Sequence, residues 1–321
     1  MEERRDNERG RGASRMSRRI RWGIRVLVAL GLAALCLGSV LFVEQRLGKT
    51  HTIPDEVFDP RQSENPVMDA ATIDGVGGEV QTSGNSGEPA DLKWRDADFA
   101  VDPARTELNY ESNGRKVVYL TIDDGPSENT IEVLDILDRY GCKATFFVTG
   151  NDPDHYYLIK EAYDRGHTIG LHTFTHDYAT VYASADAYFA DLAIIGEIVQ
   201  EQIGYVPCFI RFPGGSSNEV SANYCAGIMT ELSTAVQSRG FQYYDWNAST
   251  GDGAEHTAND IVMFGTEADG MENIMLLCHD SATKQTTVQA LPRIIEFYQA
   301  HGYTFEAIDR STCVVQHGVN N

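Results

Sequence analysis

Lys116-Val-Val-Tyr-Leu-Thr-Ile-Asp-Asp-Gly-Pro126 is an apolar, β-prone run that stops at two carboxylates and a Gly-Pro turn. A continuous run of this kind reads as a strand buried on both faces, as in a parallel sheet. Asp123 and Asp124 then stand where the strand ends. Moving outward, the same figure repeats. Apolar runs near 144–149, 168–172, 208–212, 241–246, 274–279 and 303–308 join 117–122 to give about seven strands. Helical stretches lie between most of them. Asn129–Tyr140 carries Ile131, Leu134 and Leu137 on one face and stops at Gly141, Ser184–Ile203 opens on a capping serine and stops at Gly204, and Thr286–His301 stops at Gly302. Strand-helix alternation over about 200 residues predicts an α/β fold on a parallel sheet, barrel or doubly wound.

The polar motifs favour the barrel. After Asp123-Asp124 come His172-Thr-Phe-Thr-His176, Arg211-Phe-Pro-Gly-Gly215, Asp245-Trp246 and Leu277-Cys-His279-Asp280, each closing an apolar run. Barrel enzymes gather their chemistry at the C-terminal ends of strands. Packing alone does not explain five strands ending in this way.

A catalytic metal site needs three protein ligands and one open position for water. His172 and His176, four apart on one helical face or tight turn, supply two imidazoles, and Asp124 is the third ligand. A lone pair of histidines at this spacing is ordinarily a surface feature; the acid pair at another strand end changes that. Two His and one Asp suit one divalent metal, zinc first, with cobalt, nickel or iron also compatible. Side chains alternate in extended chain, so Asp123 is left as general base for the water. His279 is the candidate general acid, giving its proton to a leaving amine, with Asp245 to orient it and keep it protonated. Arg211 would hold Asp123 ionised. Gly214 and Gly215 let backbone N–H groups approach an oxyanion. Trp246 and Leu277 would wall a small apolar pocket, although ordinary core serves equally for both.

Charge divides the chain. Residues 1–25 hold nine arginines against four acids, so the rest carries 17 basic and 43 acidic residues, a net of −26. Such a body repels nucleic acid and anionic wall polymers. Residues 26–43, VLVALGLAALCLGSVLFV, form an uncharged run of 18. About 20 apolar residues cross a bilayer, and the arginines before the run fit the positive-inside rule. The expectation is a basic cytoplasmic tail at 1–25, a single transmembrane anchor at 26–43 and a flexible extracellular linker at 44–112, rich in Gly, Ser, Asn and acids. Trp94 and Phe99 are candidates to dock on the following domain. A cleaved signal peptide is the rival for the apolar run. Cys36 lies in the anchor, and five other cysteines include Cys208 and Cys225, the nearest pair for a disulfide; buried thiols are as good a reading.

Together, in this order, the five motifs resemble the polysaccharide deacetylases of carbohydrate esterase family four, the NodB-homology domain, over roughly residues 113–310 with a C-terminal tail at 311–321. The resemblance implies a distorted (β/α) barrel and metal-dependent removal of acetyl groups from polysaccharides. It implies Asp123 as base, Asp124, His172 and His176 as ligands, His279 as acid, Arg211 and Asp245 as supports, and the Gly214 backbone as oxyanion donor. Ile122 replaces the usual Phe, Asp177 the frequent Pro and Gly214 the frequent Tyr, which widens the groove. Lys143, before Ala-Thr-Phe-Phe, is a loose candidate to support Asp123. The expected substrate is an extracellular N-acetylated glycan, peptidoglycan N-acetylglucosamine first. Chitin-type, exopolysaccharide and acetylxylan deacetylases are alternatives, as are a small-molecule amidase and an inactive tethered glycan-binding protein.

Overall fold

The computed structural model describes residues 99–102 and 108–321. Its strands are β1 (Val117–Asp123), β2 (Ala144–Val148), β3 (Thr168–Leu171), β4 (Phe209–Ile210), β5 (Gln242–Tyr243), β6 (Ala248–Ser249), β7 (Asn273–His279) and β8 (Thr304–Phe305). They pair in parallel in the order β5-β4-β3-β2-β1-β7-β6, with β8 beside the first residues of β1. Seven of these strands match the apolar runs. β6 is the eighth, and its Ala-Ser sequence has no apolar run to announce it.

This order explains the curvature. β5 and β6 are the two ends of the row, yet only residues 244–247 join them. A flat row of seven strands spaced ~4.8 Å apart would set its ends almost ~30 Å apart. Five steps of extended chain reach about 17 Å at most. The sheet therefore curls into an open parallel barrel, closed between β5 and β6 by covalent chain rather than by a ladder.

Helices cover the outside: α1 (Thr130–Tyr140), α2 (Tyr157–Asp164), α3 (Tyr178–Val181), α4 (Ala185–Ile203), α5 (Ile228–Ser238), α6 (Ala258–Gly265) and α7 (Gln285–Ala300). The expected α1, α4 and α7 are present. Ser184 caps α4 by accepting from the Ala187 N–H, and Gly141 (φ 64°) and Gly204 (φ 90°) end α1 and α4 in the left-handed region that glycine adopts freely. The sequence had not singled out α2, α3, α5 or α6.

Two apolar layers follow from strand alternation. Val118, Leu120 and Ile122 of β1 face outward and pack with Leu134, Leu137 and Ile294 of the helices. Val117 and Tyr119 face inward with Phe147, Phe209, Tyr244 and Met275. Asp123 continues the inward set at the C-terminal end of β1.

The domain is wider than the sequence suggested. Phe99, placed in the linker, is buried in the inner layer, and its carbonyl accepts from Cys208 N–H at 2.7 Å. Residues 311–321, set apart as a tail, are built in: Val314 joins the inner layer and its N–H donates to Asn109 O, while Val315 O accepts from Asp245 N–H. Cys225 is a free thiol, so the Cys208–Cys225 bridge does not form. Among the described residues no helix is long and apolar enough to cross a membrane. The tail at 1–25, the anchor at 26–43, Trp94 and most of the linker lie outside the described residues.

Candidate active site

Asp123 and His279 are register partners on adjacent parallel strands, β1 and β7, and so lie side by side at one end of the barrel. Asp123 is 2 % exposed. Asp124 leaves the strand with φ 71°, a left-handed conformation that is uncommon outside glycine, and its Oδ1 and Asp123 Oδ2 both face His172 Nε2, at 3.6 and 3.7 Å. Gly125 follows because a Cβ there would collide with the buried carboxyl of Asp280. Burial pushes Asp280 up to about 7, and it accepts from Thr130 Oγ1.

The candidate ligands His172 and His176 lie on a tight turn rather than a helix. His172 follows β3, and Thr173 (φ 67°) and His176 (φ 51°) bend the chain until the two rings are 4.9 Å apart. Asp191 of α4 holds the turn: its carboxylate accepts from Phe174 N–H, Thr175 N–H and Thr175 Oγ1. His172 Nδ1 bonds Arg211 O at 2.7 Å. A carbonyl only accepts, so Nδ1 carries the proton and Nε2 offers its lone pair. Burial, then the neighbouring His176, lowers His172 to about 3, which keeps it neutral and fit to ligate.

The three groups fit a divalent cation. Asp124 Oδ1 is buried with no hydrogen-bond partner and lies 3.6 Å from His172 Nε2 and 3.4 Å from His176 Nε2. Ligands about 2.0–2.1 Å from a tetrahedral ion would sit ~3.3–3.5 Å from one another. All three ligand atoms fall within 4.8 Å of each other.

Arg211 is fully buried across the barrel interior. Its Nη1 donates to Asp123 Oδ1 (2.9 Å) and Thr121 Oγ1 (2.7 Å), Nε to Tyr244 O and Nη2 to Asp245 O. The guanidinium also stacks on Phe147 at 4.5 Å. The expected pairing with Asp123 is present, but its electrostatic effect is smaller than expected. Burial raises the Asp123 carboxyl above its ordinary range, and Arg211 only partly offsets it.

Asp245 does not orient His279. Its carboxylate accepts from Ser216 N–H, Ser216 Oγ and the His317 N–H. It therefore fixes the Gly214-Gly215-Ser216 loop to the C-terminal segment. His279 is held instead by Asp252: Nδ1 is 2.8 Å from Oδ1, and the His279 N–H donates to Oδ2. The reason is β6, which carries the chain past Asp245 and along β7, so that Asp252 arrives beside the histidine. The available signal was Gly251-Asp252-Gly253, an aspartate in a glycine turn. Burial alone would lower His279, but the hydrogen bond and charge of Asp252, with Asp123 and Asp124, outweigh it and bring the ring to about 9.

Gly214 (φ 75°) and Gly215 (φ 79°) line the rim. A Cβ on Gly215 would lie 2.9 Å from the Trp246 ring. Trp246 packs edge-on to His317 at 4.8 Å, with Arg211 5.7 Å away, and Leu277 lies inward on β7 two residues before His279. Lys143 gives no support to Asp123. It precedes β2, at the far end of the barrel, and donates to Arg165 O. The sequence reading missed Asp252, Asp191, His317 and Tyr178, whose ring lies edge-on to His176.

Comparison with known proteins agrees with this geometry. The family model "Polysaccharide deacetylase" matches residues 110–228. A peptidoglycan-N-acetylglucosamine deacetylase of Bacillus cereus is 30% identical over 228 residues, covering 65% of this chain and 77% of its own. The crystal structure of the catalytic domain of peptidoglycan N-acetylglucosamine deacetylase from Eubacterium rectale superposes with a TM-score of 0.65 at 42% identity, covering 68% of this chain and all of that one. A polysaccharide deacetylase of Bacillus cereus superposes with a TM-score of 0.54 at 30% identity, over 60% of this chain and 92% of that one.

Proposed function

The chain belongs to the polysaccharide deacetylases of carbohydrate esterase family four, and we propose on that footing that it hydrolyses N-acetyl groups of an extracellular glycan, with peptidoglycan N-acetylglucosamine as substrate. The observation that carries this is the register pairing of Asp123 with His279, a carboxylate and an imidazole on one rim beside a three-ligand set. The names of the Bacillus cereus and Eubacterium rectale relatives support the choice of substrate.

Asp124, His172 and His176 would hold one divalent cation, zinc by ligand type. When bound, the cation polarises the acetyl carbonyl and lowers the pKa of water. The remaining work falls to the chain itself. Asp123, desolvated and oriented by Arg211, accepts a proton from the attacking water. The Gly214 N–H, on a loop pinned by Asp245, would donate to the oxygen that gains charge. His279, kept cationic by Asp252, gives its proton to nitrogen as the C–N bond breaks. Acetate and a free amine leave.

The basic segment 1–25 and apolar run 26–43 support a single-pass membrane anchor with the catalytic domain outside the cell. The functional test is acetate release from purified peptidoglycan, chitin oligomers and acetylxylan in parallel. Release from peptidoglycan and chitin oligomers is expected. Turnover of acetylxylan alone would overturn the substrate, and no release from any of them would overturn the activity. Protease added to intact protoplasts should remove the domain; full protection would refute the topology.

A further inference from the structure

Gly214 has no side chain, but the space above it is not vacant. A Cβ built on Gly214 collides with Tyr178 Oη and comes within 3.3 Å of Asn218 Cβ. The phenol hydroxyl arrives there from α3, the short helix that follows the ligand turn. Its ring is fixed on two sides: edge-on to His176 at 6.2 Å and to Tyr182 at 5.3 Å. Tyr182 is itself anchored, because its hydroxyl donates to Pro213 O at 2.7 Å. Asp177 caps α3 by accepting from Thr180 N–H and Thr180 Oγ1, which secures the turn that presents Tyr178.

Tyrosine hydroxyls near it on the ligand-turn side are used by the protein. Tyr156 donates to Gly150 O and Tyr182 to Pro213 O. Among the described residues Tyr178 Oη has no protein hydrogen-bond partner, and it is not among the buried unpaired atoms, so solvent reaches it. A phenol is both donor and acceptor, and a fixed, accessible one without a partner has its hydroxyl open to a ligand. Here it stands over the backbone of Gly214 and beside a metal-ligating histidine.

We propose that Tyr178 donates a hydrogen bond to the acetyl carbonyl oxygen of the substrate as that oxygen gains negative charge, acting with the Gly214 N–H. The proposal rests on the deacetylase reading above. It also accounts for glycine at 214: any side chain there would displace the phenol. A hydroxyl delivered from α3 thus takes the volume left open by the missing side chain.

The test is Tyr178→Phe, which keeps the ring and its contacts with His176 and Tyr182. Wild type and variant are loaded with zinc and assayed on hexa-N-acetylchitohexaose, with kcat and KM separated and metal content measured. Loss of an oxyanion donor acts in the transition state, so kcat should fall at least ~10-fold while KM and metal content stay unchanged. If the wild type releases acetate and the variant keeps its full kcat, the proposal alone is overturned. A raised KM with unchanged kcat also overturns it, because the hydroxyl would then bind only the resting sugar. If the wild type releases no acetate from this substrate or from peptidoglycan, the deacetylase reading fails and the proposal fails with it.

Discussion

His279 and Asp252 are joined twice, ring Nδ1 to Oδ1 and main-chain N–H to Oδ2, both at 2.8 Å. One carboxylate thereby sets both the position of the residue and the plane of its ring. Thr287 Oγ1 adds a third hydrogen bond to Oδ2, from α7. His279 is thus tied to three elements: its own strand, the turn after β6 and a covering helix.

Asp252→Asn should move the alkaline limb of the pH-rate profile to lower pH. With Asp252 in place the ring sits near 9, so the acid form persists through neutrality and is lost as pH rises through that value. Folding is linked in the same sense. A pKa raised above the ordinary 6.5 gives stability that is complete below 6.5 and fades as pH approaches about 9. Urea denaturation at pH 6 and 9.5 should show a larger gap for wild type than for the variant. An unmoved alkaline limb would rule out this role for Asp252.

Metal and proton carriers should separate by mutation. Asp124→Asn and His176→Ala are expected to lose the cation. Asp123→Asn and His279→Ala should keep it, yet lose at least ~10²-fold in rate. Elemental analysis of purified protein, with about one metal per wild-type chain expected, checks the first pair, and acetate release checks the second. Normal turnover by Asp123→Asn would remove the base assignment.

Asp191 touches no ligand atom but accepts three hydrogen bonds from the turn that carries them. Asp191→Ala should weaken metal binding roughly 10- to 100-fold, as loss of outer-shell partners does. Chelator competition measures this directly. Asp191→Asn keeps one acceptor oxygen and should fall between. Equal affinity in all three proteins would mean that the turn holds itself.

Arg211→Met tests the buried cation. Removing it leaves the Asp123 carboxyl desolvated without its partner, a change that costs about 3–5 kcal/mol in comparable buried pairs. A lower urea midpoint is expected, together with loss of activity. Arg211→Lys should not rescue either property, since one ammonium cannot reach Thr121, Asp123, Tyr244 and Asp245 together. A wild-type midpoint for Arg211→Met would show that the guanidinium adds little to the barrel.

The sequence made the site legible where chemistry and strand ends coincide. Asp123, Asp124, His172, Arg211 and His279 each stand at the end of an apolar run, with His176 four residues beyond His172, and polar groups in such places have few packing roles. It misled at Asp245. β6 has two small residues and no apolar signature, so the return of the chain to β7, and with it Asp252, was hidden. Tyr178 and Asp191 were invisible for another reason. Both lie on helices, and only packing decides which helical side chain meets the rim. The C-terminal segment read as a tail because Val314 and Val315 are too few apolar residues to mark an element, although their main-chain bonds place them inside the domain.

Phe99 gives the molecule a polarity. The chain joins the barrel through Phe99 and Val101, whose main-chain bonds go to Cys208 and Val206, just before β4 begins. The chemistry lies where the strands finish, at the opposite pole. The face that carries Phe99 and the rim that carries Asp123 and His279 are therefore at opposite ends of the domain. Coupling the domain to a solid support through that side should leave it able to work on an insoluble polymer. Coupling it through the rim at Gly214 and Trp246 would press the mouth against the support and block large substrates, while small soluble ones could still enter.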